Sequence, residues 1–237
     1  MAFWKRKKSR DGPSLPSRGE ASAVNKVDVD ALAPPAADFL VSAVNLQARL
    51  VTLLGDCAEQ AWASADSEAL MGATGKAMDR YRAFHELLSD YVDNTTLAIA
   101  PGREKLARHL GRVESARWYE NVTTVYVLTG FSRDFWHLLA QGMPKTLAEK
   151  AQAILADQGD EDAIAGVLER LLASDERYRS RVSLWSRRLV GDVMLICRDA
   201  LSSRARESQE TEAPLEPVLT EVLGHHTRRL DRLGLTA

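Results

Sequence analysis

From residue 36 to about residue 205, apolar side chains recur at alternating steps of three and four, a period that presents one continuous face only on a helix. Leu40, Val44, Gln47, Val51, Leu54 and Ala58 form one such stripe. Met78, Tyr81, His85, Leu88 and Val92 form a second, with Phe84, Leu87 and Tyr91 beside it. A short helix is expected after Pro101, and a longer one from about Ser115 to Gln141 with Val127, Phe131, Asp134 and Leu138 on one side. Pro144 opens a further segment that Ile164, Leu168, Leu171 and Leu172 continue. Val182, Trp185, Leu189, Val193, Ile196 and Ala200 give the most regular stripe, and Pro214 and Pro217 introduce a terminal helix to about Leu233. The strand-prone run Val125–Val127 lies inside a helical period and has no flanking turns. Roughly five or six helices of ~20 residues with short connections predict an all-α bundle.

The flanks differ from this body. Residues 1–35 read as a disordered basic arm and linker, residues 36–205 as the helical bundle, and residues 206–237 as a polar linker and a C-terminal helix. Lys5, Arg6, Lys7, Lys8 and Arg10 fall within the first ten residues, leaving 26 basic against 33 acidic side chains in the other 227. A mildly acidic body thus carries a cationic arm, and Phe3 and Trp4 beside it suit an anionic membrane surface or a nucleic-acid base. The most apolar window, residues 39–54, is interrupted by Asn45, Gln47 and Arg49, so no transmembrane segment is expected. Only two cysteines occur, Cys57 and Cys197, which excludes a disulfide scaffold and fits a cytoplasmic location.

Most familiar catalytic motifs are absent. The run Gly72-Ala-Thr-Gly75-Lys76 lacks the spacing, the hydroxyl residue and the preceding strand of a phosphate loop, and reads as a helix linker or a weakened helix start. Of the five histidines, His85 lies on an apolar stripe and reads as a core residue, whereas His225 and His226 beside Arg228 and Arg229 read as a solvated face. Asp134 would point inward from a regular helix, and a buried carboxylate must be paired, protonated or metal-bound. Asp157 and Asp160 stand at i and i+3, and the acidic run that contains them also suits a helix start. Arg187 or Arg188 could turn inward to neutralise an interior aspartate, or extend to solvent.

Three segments carry a resemblance: residues 118–135 with Gly130-Phe131-Ser132-Arg133-Asp134-Phe135, Leu155-Ala156-Asp157-Gln158-Gly159-Asp160, and Leu184-Trp185-Ser186-Arg187-Arg188-Leu189-Val190-Gly191-Asp192. In order and spacing they resemble the actinobacterial ferritin-like family related to the tRNA hydroxylase acting on 2-methylthio-isopentenyladenosine. The resemblance spans about residues 38–205 and implies a ferritin-like helical bundle, a four-helix core plus additional helices. Active members present one carboxylate from each of two helices and an acid-x-x-His pair from each of the other two, which together hold two iron ions.

Carried over residue by residue, that pattern is incomplete. Asp134 matches the third-helix carboxylate, and Asp157-Gln-Gly-Asp160 keeps the acid but has a carboxylate in place of imidazole. Tyr81-Arg-Ala-Phe84 stands where the second-helix pair would be, with His85 one position off, and Gln47 matches the first-helix glutamate. The expectation is a degenerate di-iron site with Asp134, Asp157 and Asp160 as vestigial metal positions, no catalytic residues and no bound cofactor. The function expected is that of a non-catalytic interaction or scaffold protein. Its partners would be a second copy or a paralogue, with RNA or an anionic membrane contacting the basic arm. The alternative is a divergent iron-dependent hydroxylase acting on tRNA or a small molecule.

Overall fold

A computed structural model describes residues 33–235 except 112, 114 and 206–214; the expected arm and the polar linker therefore lie almost wholly outside the described residues. Among the described residues there are eight helices and no strand: α1 (Ala36–Glu59), α2 (Ser64–Ser89), α3 (Thr95–Leu110), α4 (Trp118–Gln141), α5 (Lys145–Leu155), α6 (Gly159–Ser174), α7 (Arg177–Ala205) and α8 (Leu215–Arg232). Helix α1 packs on α2 and α4, and α6 packs on the same two, closing a ring of four around the core. The long crossover from α2 to α4 runs through α3, which lies on α1. One long crossover in a four-helix ring is the ferritin-like arrangement. Helix α5 bridges α4 and α2, while α7 and α8 pack against α4 from outside the ring.

Helix α4 is the hub, with 19 of its 24 residues buried. All-round burial explains why Val122, Thr123, Thr124, Val125 and Val127 form a helix despite their strand preference, since tertiary packing overrides a weak local propensity. Thr123 and Thr124 also turn their hydroxyls back onto the Tyr119 and Glu120 carbonyls, at 2.7 and 2.9 Å, which removes their polar atoms from the core. Trp185 of α7 donates its indole N–H to the Thr124 hydroxyl at 2.9 Å, and Trp118 donates to the Cys57 carbonyl of α1 at 2.8 Å. Each tryptophan thereby joins two helices and satisfies its own donor.

Several expectations need correction. The α1 stripe packs inward as read, with only Val51 left partly exposed. In α2 the buried stripe is Leu70, Ala73, Ala77, Arg80, Phe84, Leu87 and Leu88, about one residue away from the stripe through Met78, Tyr81 and His85. A shift of one residue rotates a helix face by about 100°. Gly72–Lys76 is neither linker nor helix start but the middle of α2, because the two glycines lie on a solvent-facing side with open space around them. Helix α3 begins six residues before Pro101 and contains it. Gly102 permits that helix to cross α1 closely: a Cβ there would fall 2.5 Å from the Asn45 amide nitrogen, which donates to the Ile99 carbonyl. By length and composition alone α1 is long and apolar enough to cross a membrane, as a core helix also can be. Half of its most apolar window is buried against its neighbours, and its interior stripe includes the polar Asn45 and Gln47.

Cys57 and Cys197 are both buried and unlinked, and burial pushes each thiol up to about 12. Thiolate is the reactive form, so at pH 8 neither should react with a disulfide reagent until the protein unfolds. Titration with such a reagent should give no colour from native protein and two equivalents in guanidinium. Rapid reaction of the native protein would contradict this packing.

Candidate functional site

One buried charged group inside the ring is Arg80. Two alanines at steps of three and four on the same face, Ala77 and Ala73, leave room near the α2 axis, and Arg80 follows them inward. Its Nε donates to the Gln47 Oε1 of α1 at 3.2 Å, and its two terminal nitrogens bind both carboxylate oxygens of Asp160, one at 3.2 Å. Arg80 and Asp160 are 8% and 1% exposed, so the pair is desolvated and bidentate. Asp160 stands in the first turn of α6 with Glu161 and Asp162, where the unpaired N–H groups and the helix dipole favour carboxylates. A guanidinium therefore holds α1, α2 and α6 together at the centre of the ring.

The three aspartates singled out from sequence do not converge. Asp160 belongs to the Arg80 pair. Asp157 is not on the helix face of Asp160: α5 ends at Leu155, and Asp157 lies in the connection before α6. Its side chain is largely exposed, ion-pairs with Lys76 and accepts the Gly159 N–H at 2.8 Å. These two hydrogen bonds, Lys76 first, hold its carboxyl below the usual range. Asp134 does turn inward from α4, but toward α8, where its Oδ2 meets the Arg229 Nη2 at 2.6 Å and the His225 Nδ1 at 3.1 Å.

Arg229 organises a second interior network. Its Nε donates to Glu161 Oε1 at 2.9 Å, and Arg133 approaches the other Glu161 oxygen at 2.6 Å, so α4, α6 and α8 share four charges in one buried cluster. Gly130 makes the approach possible, because a Cβ there would lie 2.6 Å from the Arg229 Nε and 2.9 Å from its Cζ. Burial opposes the Arg229 charge, but Glu161 and Asp134 outweigh it and keep the guanidinium protonated. The neighbouring Tyr126 hydroxyl is pushed up to about 12 by burial and by Glu161. His226 is buried against Phe131, and burial followed by the Arg229 charge drives its imidazole down to about 4. The reading of His225 and His226 as a solvated face is thus corrected: one is half-buried on Asp134 and the other is core.

Arg187 and Arg188 are both exposed, the second of the two alternatives, and Arg188 lies over the Trp185 ring at 5.2 Å, while Arg80, Arg133 and Arg229 turn inward. Tyr81 and His85 are half-buried partners of one another, 5.8 Å between ring centroids, and only Phe84 of that group packs in the core. Arg80 had one sequence signal, its place three after Ala77 and four before Phe84. Arg229 and Glu161 had none, because their contacts cross 68 residues of chain.

The donor chemistry can be tested directly against the metal pair that the resemblance implies. A guanidinium offers only donors and occupies the carboxylate oxygens that a metal would need. Asp160 and Asp134 are each engaged by a different arginine, Asp157 by a lysine, and Gln47 is bound to Arg80. Among the described residues no three His, Cys, Asp or Glu side chains group to hold an ion. These residues do not fit a di-iron centre. What the arrangement does chemically is neutralise interior carboxylates with the chain's own cations.

Removing one partner of such a buried pair strands the other, which costs ~3–5 kcal/mol, whereas replacing both with apolar residues is close to neutral. Arg80→Met should lower unfolding free energy in urea by about that amount, and Arg80→Met with Asp160→Leu should recover most of it. Equal losses in single and double variants would contradict a coupled pair. For His226 the folded state binds its proton more weakly than the unfolded state, whose value is 6.5. Its contribution is therefore complete above pH 6.5 and is lost as pH falls toward 4, by about 3 kcal/mol in all. His226→Phe should flatten that part of the stability profile in acid unfolding curves.

A search of curated proteins finds no match to the chain. The family model described as a ferritin-like domain of actinomycetes matches residues 45–211, which is the segment that holds Gln47, Arg80, Asp134 and Asp160. Together with the four-helix ring and its single long crossover, this match shows that the chain belongs to the actinomycete ferritin-like domain family.

Proposed function

We propose that this protein uses the ferritin-like bundle as a non-catalytic interaction scaffold in the cytoplasm. The observation that carries this reading is the Arg80 guanidinium bound to Gln47 and Asp160 in the middle of the ring. In an oxygen-activating relative that interior would supply open coordination positions on a metal; here it supplies a closed, charge-neutral contact between helices. The motif resemblance to the tRNA hydroxylases is then descent of the bundle without the reaction, since fold and site are inherited separately. A scaffold of this kind binds through its outer helix faces, with a second copy or a catalytic paralogue as the partner class.

Elemental analysis of protein purified from iron-supplemented cells tests the reading. The expected result is no stoichiometric iron, in native protein and in an Asp134→Ala, Asp160→Ala double variant alike. Two equivalents of iron per chain, lost in that double variant, would instead support a divergent iron-dependent hydroxylase.

A further inference from the structure

The outer face of α7 differs in charge from the rest of the body. Outside the first ten residues the chain is net acidic, yet residues 177–191 hold five arginines and no acid. Val182, Leu189, Val193 and Cys197 turn inward and are buried. On the opposite side Leu184 and Leu195 project to solvent, 69% and 47% exposed, although neither packs in the core. Ideal helix geometry places Leu195 about 20° from Leu184, with Arg181 and Arg188 within about 60° on one side and Arg187 at about 60° on the other. All three arginines are exposed. The pattern is a pair of leucines along the centre of a helix face, with cations along both edges of its Leu184 half and Asp192 on the Arg188 edge beside Leu195.

We propose that this face of α7 docks on an anionic lipid surface, the leucines entering the headgroup boundary and the arginines meeting lipid phosphates. Flanking cations with long apolar stems suit that depth, because the stem lies against hydrocarbon while the head reaches phosphate. Charge complementarity selects the partner. A second copy placing the same face here would set arginine against arginine. A nucleic-acid strand would pair with the arginines but leave both leucines without a role, and its bases prefer aromatic platforms. The acidic remainder of the body would be repelled by the same lipids, which orients the protein with α7 toward the surface.

Sedimentation of the full-length protein with vesicles of three parts phosphatidylcholine to one part phosphatidylglycerol tests the proposal, with pure phosphatidylcholine as the reference. Binding should be confined to the anionic vesicles and should weaken as salt rises. The variant Arg181→Gln with Arg188→Gln should lower the partition coefficient about 30-fold, the worth of two arginines at an anionic surface. Leu184→Ser should lower it about 5-fold without changing the net charge. The basic segment at residues 1–10 is intact in every variant, so these ratios report α7 alone. All three substituted side chains are exposed, and an unchanged unfolding midpoint establishes that the fold is retained. Partitioning that is equal in native protein and variants would overturn the proposal. So would an absence of vesicle binding accompanied by variant-sensitive association with poly(U) or by variant-sensitive dimerisation.

Discussion

A bidentate contact between a buried guanidinium and a buried carboxylate sets the character of this bundle. Arg80 and Asp160 come from α2 and α6, neighbours in the ring, and Gln47 of α1 supplies a third anchor. Taking two charges out of water is unfavourable by several kcal/mol each, and only close geometry with further hydrogen bonds restores the balance. That requirement makes the pair more demanding than an apolar core of the same volume. It fixes which turn of α2 faces which turn of α6, because a displacement by one residue would leave both charges unpaired. Register, more than stability, is what such a contact provides.

The Arg229 cluster repeats the device at the side of the ring. There α8 brings a cation to Asp134 and Glu161, and Gly130 is the only residue type that lets the guanidinium lie directly on α4. Helix α8 is thus tied to two ring helices by charge as well as by Val218, Val222 and Leu230. By contrast, the exposed Lys76–Asp157 pair is largely solvated and contributes little to stability, although it positions the chain entering α6.

The helical class and the openings of α1, α4, α5 and α8 were legible in the sequence because apolar periodicity and proline are local signals, whereas α5 and α6 read as one segment, α3 was expected only after Pro101, and five or six helices were expected in place of eight. The stripe from Leu40 to Ala58, Val51 apart, and Ile164, Leu168, Leu171 and Leu172 are buried as that period requires. The α2 face was read one residue away because Met78, Tyr81 and His85 look apolar, while the true interior stripe contains two alanines and an arginine. An arginine on a stripe is ordinarily read as its solvent edge, so nothing local distinguishes Arg80 until Asp160 and Gln47 are brought beside it. The same reasoning applies to the aspartates. Spacing placed Asp157 and Asp160 on one face, but the chain leaves the helix at residues 156–158 between α5 and α6, which separates them. Asp134 was correctly read as inward-turning, yet its partner lies 95 residues later. Charge pairing across such distances has no periodic signature.

The family assignment and the interior chemistry bear on function in different ways. Membership accounts for the ring and its crossover; the residues within it decide what the ring can do. A cation built into the chain performs the neutralising part of a metal's role and none of its reactivity. The most direct measurement is an anomalous difference map at the iron absorption edge from crystals soaked anaerobically in ferrous iron. The account predicts continuous Arg80 density reaching Asp160 and no anomalous peak inside the ring. Two peaks about 3.5–4 Å apart between α1, α2, α4 and α6, with Arg80 turned away from Asp160, would contradict it.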